Sequence, residues 1–212
     1  MRLIVFGATG RIGLEIVQRA LAADHRVTAV VRDAARLAVS DERLEVVEAD
    51  PFDPAAIAPA VKGQDAVLSA LGPRPGGPST VCSQGAAAIT ETMGRVGVRR
   101  LLVVSASGPY IDRGDDPLTR FVVKPLLSRM LREGFTDLRA AEKIVRTSDL
   151  DWTILRPSRL TDGPAPARIR RSRDRNLPFG LFTPRASVAA EMLRVVDDPT
   201  AVRHSIALAK AF

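Results

Sequence analysis

Gly7, Gly10 and Gly13 stand three residues apart, directly behind the apolar run Leu3–Phe6 in "MRLIVFGATGRIG". A chain leaving a buried strand for a helix must turn sharply, and Gly7 tolerates the backbone angles this requires. Gly10 carries no Cβ, so an anion can approach the backbone there, while Gly13 lets helix and strand pack closely. The first N–H groups of the helix have no partner within it, and its dipole favours negative charge at that end. The chemistry this spacing serves is the binding of a pyrophosphate. The pattern is G-x-x-G-x-x-G rather than the commoner G-x-G-x-x-G. Its weight comes from its place between a first strand and an amphipathic helix.

A second set of charges lies at the end of "VTAVV". Arg32 follows that run, with Asp33 beside it and Arg36 further along "RDAARL". In dinucleotide-binding sheets this strand tip meets the adenosine ribose, where a carboxylate reads a free 2′-hydroxyl. Two guanidiniums suit a 2′-phosphate instead. NADP(H) is therefore expected over NAD(H), with Asp33 keeping the other reading open. By strand order Asp50, in "VEAD", falls beside the adenine, and Ala70, Leu71 and Gly72, in "SALG", fall against the nicotinamide half.

Other reactive side chains give less. Ser105 and Ser107 alternate onto one face at the end of a strand, and they read equally well as loop hydroxyls bonded to nearby backbone. His25 and His204 precede strands, at the wrong edge of a parallel sheet for chemistry. Cys82, the single cysteine, has no candidate His partner nearby and reads as a small helix-face residue. It also excludes an intramolecular disulfide. No H-E-x-x-H or C-x-x-C is present, so no metal site is expected. The run "ARIRRSRDR" lacks aromatic residues to stack bases, so it reads as a solvated face rather than a nucleic-acid surface.

These groups need elements to hold them. Short Val/Ile/Leu-rich runs alternate with helical patterns: strands are expected at 2–6, 26–31, 44–48, 66–70, 100–104, 152–155 and 204–208. Helices are expected at 12–21, 54–61, 81–96, 137–147 and 187–196. Continuous apolar strands alternating with helices imply a doubly wound parallel sheet with helices on both faces. All 212 residues read as one domain. Two irregular segments leave the carboxyl ends of strands: the loop Gly72–Thr80, rich in Gly and Pro, and residues 158–184, expected as a substrate-side lid. Lys and Arg outnumber Asp and Glu by 31 to 24, a balance compatible with nucleic acid, an anionic surface or phosphorylated ligands. No apolar stretch reaches membrane-spanning length, and a cytoplasmic location is expected.

Together "GATGRIG", "VVRD", "EAD", "GQDAVLSALG", "GVRRLLVVSASG" and "SDLDWTILRPSRLTDGP" resemble an atypical short-chain dehydrogenase/reductase. The similarity is to the NAD(P)H-binding, NmrA-like proteins and the flavin reductase/biliverdin reductase B type. The resemblance implies a Rossmann sheet with NADP(H) across its carboxyl edge. It implies that Gly7, Thr9, Gly10, Arg11 and Ile12 hold the pyrophosphate, Arg32 and Arg36 the 2′-phosphate, and Asp50 the adenine. Leu71, Gly72 and the Ser105 region would flank the nicotinamide, with Pro157 and Ser158 closing on it. The superfamily's Tyr and its Lys four residues later would precede Glu142, at positions that hold Gly134 and Leu138. The only tyrosine is Tyr110.

Two functions follow from this resemblance. One is NADPH-dependent reduction of a flavin, quinone or similar conjugated acceptor, with Ser105, Ser107 or Ser158 offering at most a polarising hydroxyl. The other is a non-catalytic NADP(H)-binding regulator. The expected partner is a small aromatic or quinoid molecule.

Overall fold

The computed structural model describes residues 1–72, 80–166 and 168–211. Most of the loop Gly72–Thr80, residues 73–79, lies outside the described residues, as does Ala167 within the 158–184 segment. Strands β1 (Arg2–Phe6), β2 (Arg26–Val31), β3 (Leu44–Glu48), β4 (Ala66–Ser69), β5 (Arg100–Val104), β6 (Asp151–Pro157) and β10 (His204–Lys210) run parallel. The antiparallel β8 (Ile169–Arg173) completes an eight-stranded sheet ordered β3-β2-β1-β4-β5-β6-β10-β8. Two short strands, β7 (Arg159–Thr161) and β9 (Phe182–Pro184), pair apart from it.

Alternating side chains of each strand face opposite layers. Leu3, Val5 and Ala29 pack with Ile16 and Val17 of α1 (Arg11–Ala22) and Val188 and Met192 of α6 (Arg185–Arg194). Ile4, Phe6 and Val67 pack on Ile57 of α2 (Pro54–Val61), Ile89 of α3 (Val81–Val96) and Val145 of α5 (Arg132–Thr147). The two layers are those of a Rossmann-like sheet. Successive connections diverge between β1 and β4, and a ligand crevice opens at such a switch point.

Several expectations need correction. The 158–184 segment is only partly irregular, because it contains β7, β8 and β9. The basic run forms β8, an edge strand, where charge is tolerated because one side meets solvent. A short helix α4 (Lys124–Met130) precedes α5, which begins five residues before the expected Asp137. Pro125 and Gly134 hide both from a reading of the sequence. Pro125 follows directly on a π-helical turn over Thr119–Val123, so α4 continues a helix already under way. A Cβ on Gly134 would meet nothing within 4 Å, so it sits in an open part of α5. The expected Ala66–Ala70 strand stops at Ser69, and β6 and β10 each run two residues further.

Candidate cofactor site

The carboxyl ends of β1, β2 and β4 surround a cleft of about 470 Å³. Gly7, Thr9, Gly10, Arg11 and Ile12 line one wall, Arg32 and Arg36 another, and Leu71 and Gly72 a third. Gly7 has φ +79°, and a Cβ there would lie 2.7 Å from the Ala70 carbonyl oxygen. Gly13 stands behind this wall, not in it. Its Cβ would fall 2.1 Å from the Gly7 oxygen, so only glycine lets α1 approach β1 this closely. Gly10 caps α1 without a side-chain bond, and α1 has no acidic residue in its first turn. The helix start is thus open to an anion from outside.

The start of α3 borders the same cleft through Val81 and Gln84, but it is filled. The buried Asp137 carboxylate, from α5, accepts from Cys82 N at 2.8 Å and Ser83 N at 2.9 Å. Burial, with this carboxylate next to it, pushes the Cys82 thiol up to about 12.

At the tip of β2 the side chains of Arg32 and Arg36 are exposed and have no intramolecular partner among the described residues. Asp33 lines the cleft beside them, and each neighbouring carboxylate has one oxygen on a backbone N–H. Asp33 accepts from Ala35 N at 3.1 Å, capping a single 3-10 turn over Ala34–Arg36, and Glu48 accepts from Ala34 N at 2.6 Å. Asp50 borders an adjoining recess with Arg32 and Phe52, its carboxylate accepting from Phe52 N at 3.0 Å.

Of the expected residues, Ser105, Ser107, Pro157 and Ser158 do not line the cleft. Ser105 faces a neighbouring cavity of about 10 Å³, beside Leu71, Cys82 and Glu142, and its hydroxyl has no partner among the described residues. That volume is at the lower limit for one water. Ser107 and Pro157 are joined through backbone, with Ser107 N donating to the Pro157 oxygen at 2.9 Å. Ser158 Oγ lies 2.8 Å from Thr183 Oγ1, which itself donates to the Leu208 oxygen. Its hydroxyl ties β9 to β10. Arg11 lines the cleft as expected, and its side chain also reaches Asp162 at 3.1 Å.

Beyond β5 lies a polar cluster. Lys124 Nζ donates to Asp115 Oδ1 and to the Tyr110 oxygen, both at 2.6 Å, and Asn176 Nδ2 reaches the same two residues. Burial lowers the Lys124 ammonium against the pull of Asp115. The Arg156 guanidinium covers the Tyr110 ring and is paired with the buried Glu142 at 2.6 Å. Burial, and then the Glu142 charge, hold the Tyr110 phenol above its ordinary value. This cluster fixes the loop after β5 to the segment before β9.

An open helix start behind three glycines, two free arginines at the second strand and a cleft spanning both is a dinucleotide's shape and charge. A family model described as NAD(P)H-binding matches residues 7–199. The chain belongs to the NAD(P)H-binding family. Among curated proteins it is similar to the 3-diazoavenalumate denitrifying reductase of a Streptomyces species, 31% identical over 174 residues, covering 74% of this chain and 55% of that protein. Among solved structures, a short-chain dehydrogenase/reductase from Veillonella parvula in complex with NADP has TM-score 0.81, 22% identity and coverage of 99% and 94% of the two chains. ChuY, an anaerobilin reductase from Escherichia coli O157:H7, has TM-score 0.80, 23% identity and coverage of 99% and 97%. At these identities the two structures establish the fold alone.

The residues present fit the family's cofactor. The space that a Cβ on Gly10 would occupy is open apart from the Gly7 oxygen at 3.2 Å, and the donors around it are backbone N–H groups and guanidiniums. Phe52, Gln84 and Arg185 also line the cleft and escape sequence reasoning. For Phe52 a signal existed, since it follows Asp50 by two residues. Arg185 lies far along the chain at the first position of α6, and no local pattern marks it.

Proposed function

We propose that this protein is an NADPH-dependent reductase that passes hydride to a flavin, quinone or similar conjugated acceptor. The cofactor half of the reading is supported by Arg32 and Arg36, which line the cleft with no intramolecular partner among the described residues. The acceptor half is carried by one observation: the only tyrosine lies beneath Arg156 with its hydroxyl buried, and it does not line the cleft.

NADPH, when bound, supplies the hydride. A simple carbonyl also needs a proton at its oxygen as hydride arrives, and a tyrosine of lowered pKa is a suitable donor. Tyr110 is shifted the opposite way. A conjugated ring delocalises the incoming charge, so water can protonate it afterwards. The protein's tasks are then to hold the dinucleotide on α1 and to stack the acceptor at reacting distance, which is catalysis by proximity and orientation. Leu71 and Gly72 border that end of the cleft.

The test is NADPH oxidation with FMN, riboflavin, a small quinone series and a set of simple ketones and aldehydes. Turnover with the conjugated acceptors and little with the carbonyls is expected. Strong ketone reduction would overturn the acceptor class. Tight NADPH binding without turnover on any acceptor would assign the chain to a non-catalytic regulator.

A further inference from the structure

Asp162 lies one residue beyond β7, and Arg185 one residue beyond β9. The two strands pair in parallel with Thr161 opposite Pro184, so continuing the register sets Asp162 across from Arg185. Arg185 Nη1 donates to Asp162 Oδ1 at 2.7 Å, and Arg11 Nη1 reaches Oδ2 of the same carboxylate at 3.1 Å. One carboxylate therefore bridges the first residue of α1 and the first residue of α6. Both arginines line the cleft, whereas Asp162 does not and is itself 70% exposed.

We infer that Arg11 and Arg185 form an anion clamp for the cofactor's pyrophosphate, with Asp162 as the positioning residue that holds the two guanidiniums together. This rests on the reading of the cleft as a dinucleotide site. Two like charges brought side by side repel, and an anion between or behind them removes that cost. The pairs engage only Nη1 of each guanidinium, leaving Nε and Nη2 as donors. A guanidinium is the group best suited to a bidentate hold on phosphate oxygens. The two arginines also differ. Arg185 is 14% exposed at its side chain and Arg11 70%, so Arg185 is less screened and carries the larger share. Asp162 supplies pre-organisation, fixing rotamers that a ligand would otherwise have to order.

The experiment titrates wild type, Arg185→Gln, Arg185→Lys, Asp162→Asn and Asp162→Glu with three probes by calorimetry: NADPH, inorganic pyrophosphate and adenosine 2′-monophosphate. Arg185→Gln should weaken NADPH and pyrophosphate about tenfold and Asp162→Asn about threefold. Arg185→Lys should be intermediate, and Asp162→Glu should recover part of the loss. Adenosine 2′-monophosphate reports on the Arg32 side of the cleft and should bind all five proteins alike, whereas general unfolding would weaken all three probes. Pyrophosphate binding that is absent from wild type, unchanged in Arg185→Gln, or tightened in Asp162→Asn would overturn the clamp. A pyrophosphate response as expected, with no binding of the adenosine phosphate or NADPH to wild type, would leave the clamp standing and overturn the NADP reading.

Discussion

Arg156 lies flat over Tyr110, its guanidinium carbon 3.6 Å from the ring centroid. The same guanidinium is paired with Glu142, so one face of the half-buried ring is covered by a fixed charge pair. The phenol hydroxyl has no partner among the described residues. Tyr110→Phe should therefore keep NADPH-dependent turnover within about threefold of wild type. It should leave stability unchanged or raise it by up to about 1 kcal/mol, because removing an unpaired buried hydroxyl relieves a desolvation penalty. Steady-state kinetics and a denaturant melt check both, and a loss of activity beyond a hundredfold would make Tyr110 the proton donor.

Arg32 should distinguish the two nicotinamide cofactors. A charge-assisted bond to phosphate is worth about 1.5–3 kcal/mol, and exposure of Arg32 favours the lower end. Arg32→Ala should weaken NADPH about tenfold and leave NADH unchanged, measured by fluorescence titration. Equal affinity of wild type for both cofactors would remove the basis for the preference.

The glycines at 10 and 13 should fail in different ways. Gly13→Val sets a Cβ 2.1 Å from the Gly7 oxygen, a backbone atom that cannot move aside, and should lower the melting temperature sharply or abolish folding. Gly10→Val has only the Gly7 oxygen to accommodate, at 3.2 Å, and should fold yet lose NADPH binding. Circular dichroism melts paired with calorimetry separate the two outcomes.

Acid should loosen one corner first. Asp116 accepts from Thr119 N at 2.9 Å and Phe179 N at 3.0 Å, and Thr119 above all pulls its carboxyl from 3.8 to about 2. A depressed carboxyl contributes stability that is whole above its unfolded pKa and is lost as pH falls through the folded one. The stability gap between wild type and Asp116→Asn should be constant above about pH 5 and shrink between about pH 4 and pH 2. Chemical denaturation at several pH values measures it, and a gap that widens on acidification would reverse the assignment.

What the sequence revealed followed physical locality. Leu3–Phe6 and Val27–Val31 declare buried parallel strands because both faces are apolar, and the glycine turn is read within seven residues. The strand Ile169–Arg173 was missed because an edge strand can carry arginine on its wet side. The helix Lys124–Met130 is hidden because Pro125 reads as a breaker, whereas here it follows directly on the π-helical turn Thr119–Val123. Arg11 was assigned to the phosphates from the turn alone, and its bond to Asp162 depends on a strand register set more than 150 residues away. The bond between Ser158 and Thr183 is illegible for a similar reason, since the two stand 25 positions apart with all of β8 between them.

The filled start of α3 gives the cleft a direction. A dinucleotide is nearly symmetric about its centre, with a ribose and a ring at either end, and a groove with two vacant helix starts would take it both ways round. Here Asp137 occupies the α3 start, and the α1 start, next to Gly10, is left open to receive the doubly charged midpoint. With that midpoint pinned, the arginines after β2 and the apolar Leu71 after β4 tell the two halves apart. The buried carboxylate thus narrows where the midpoint can rest, and the unlike side chains at the two ends of the cleft decide which way round the molecule lies.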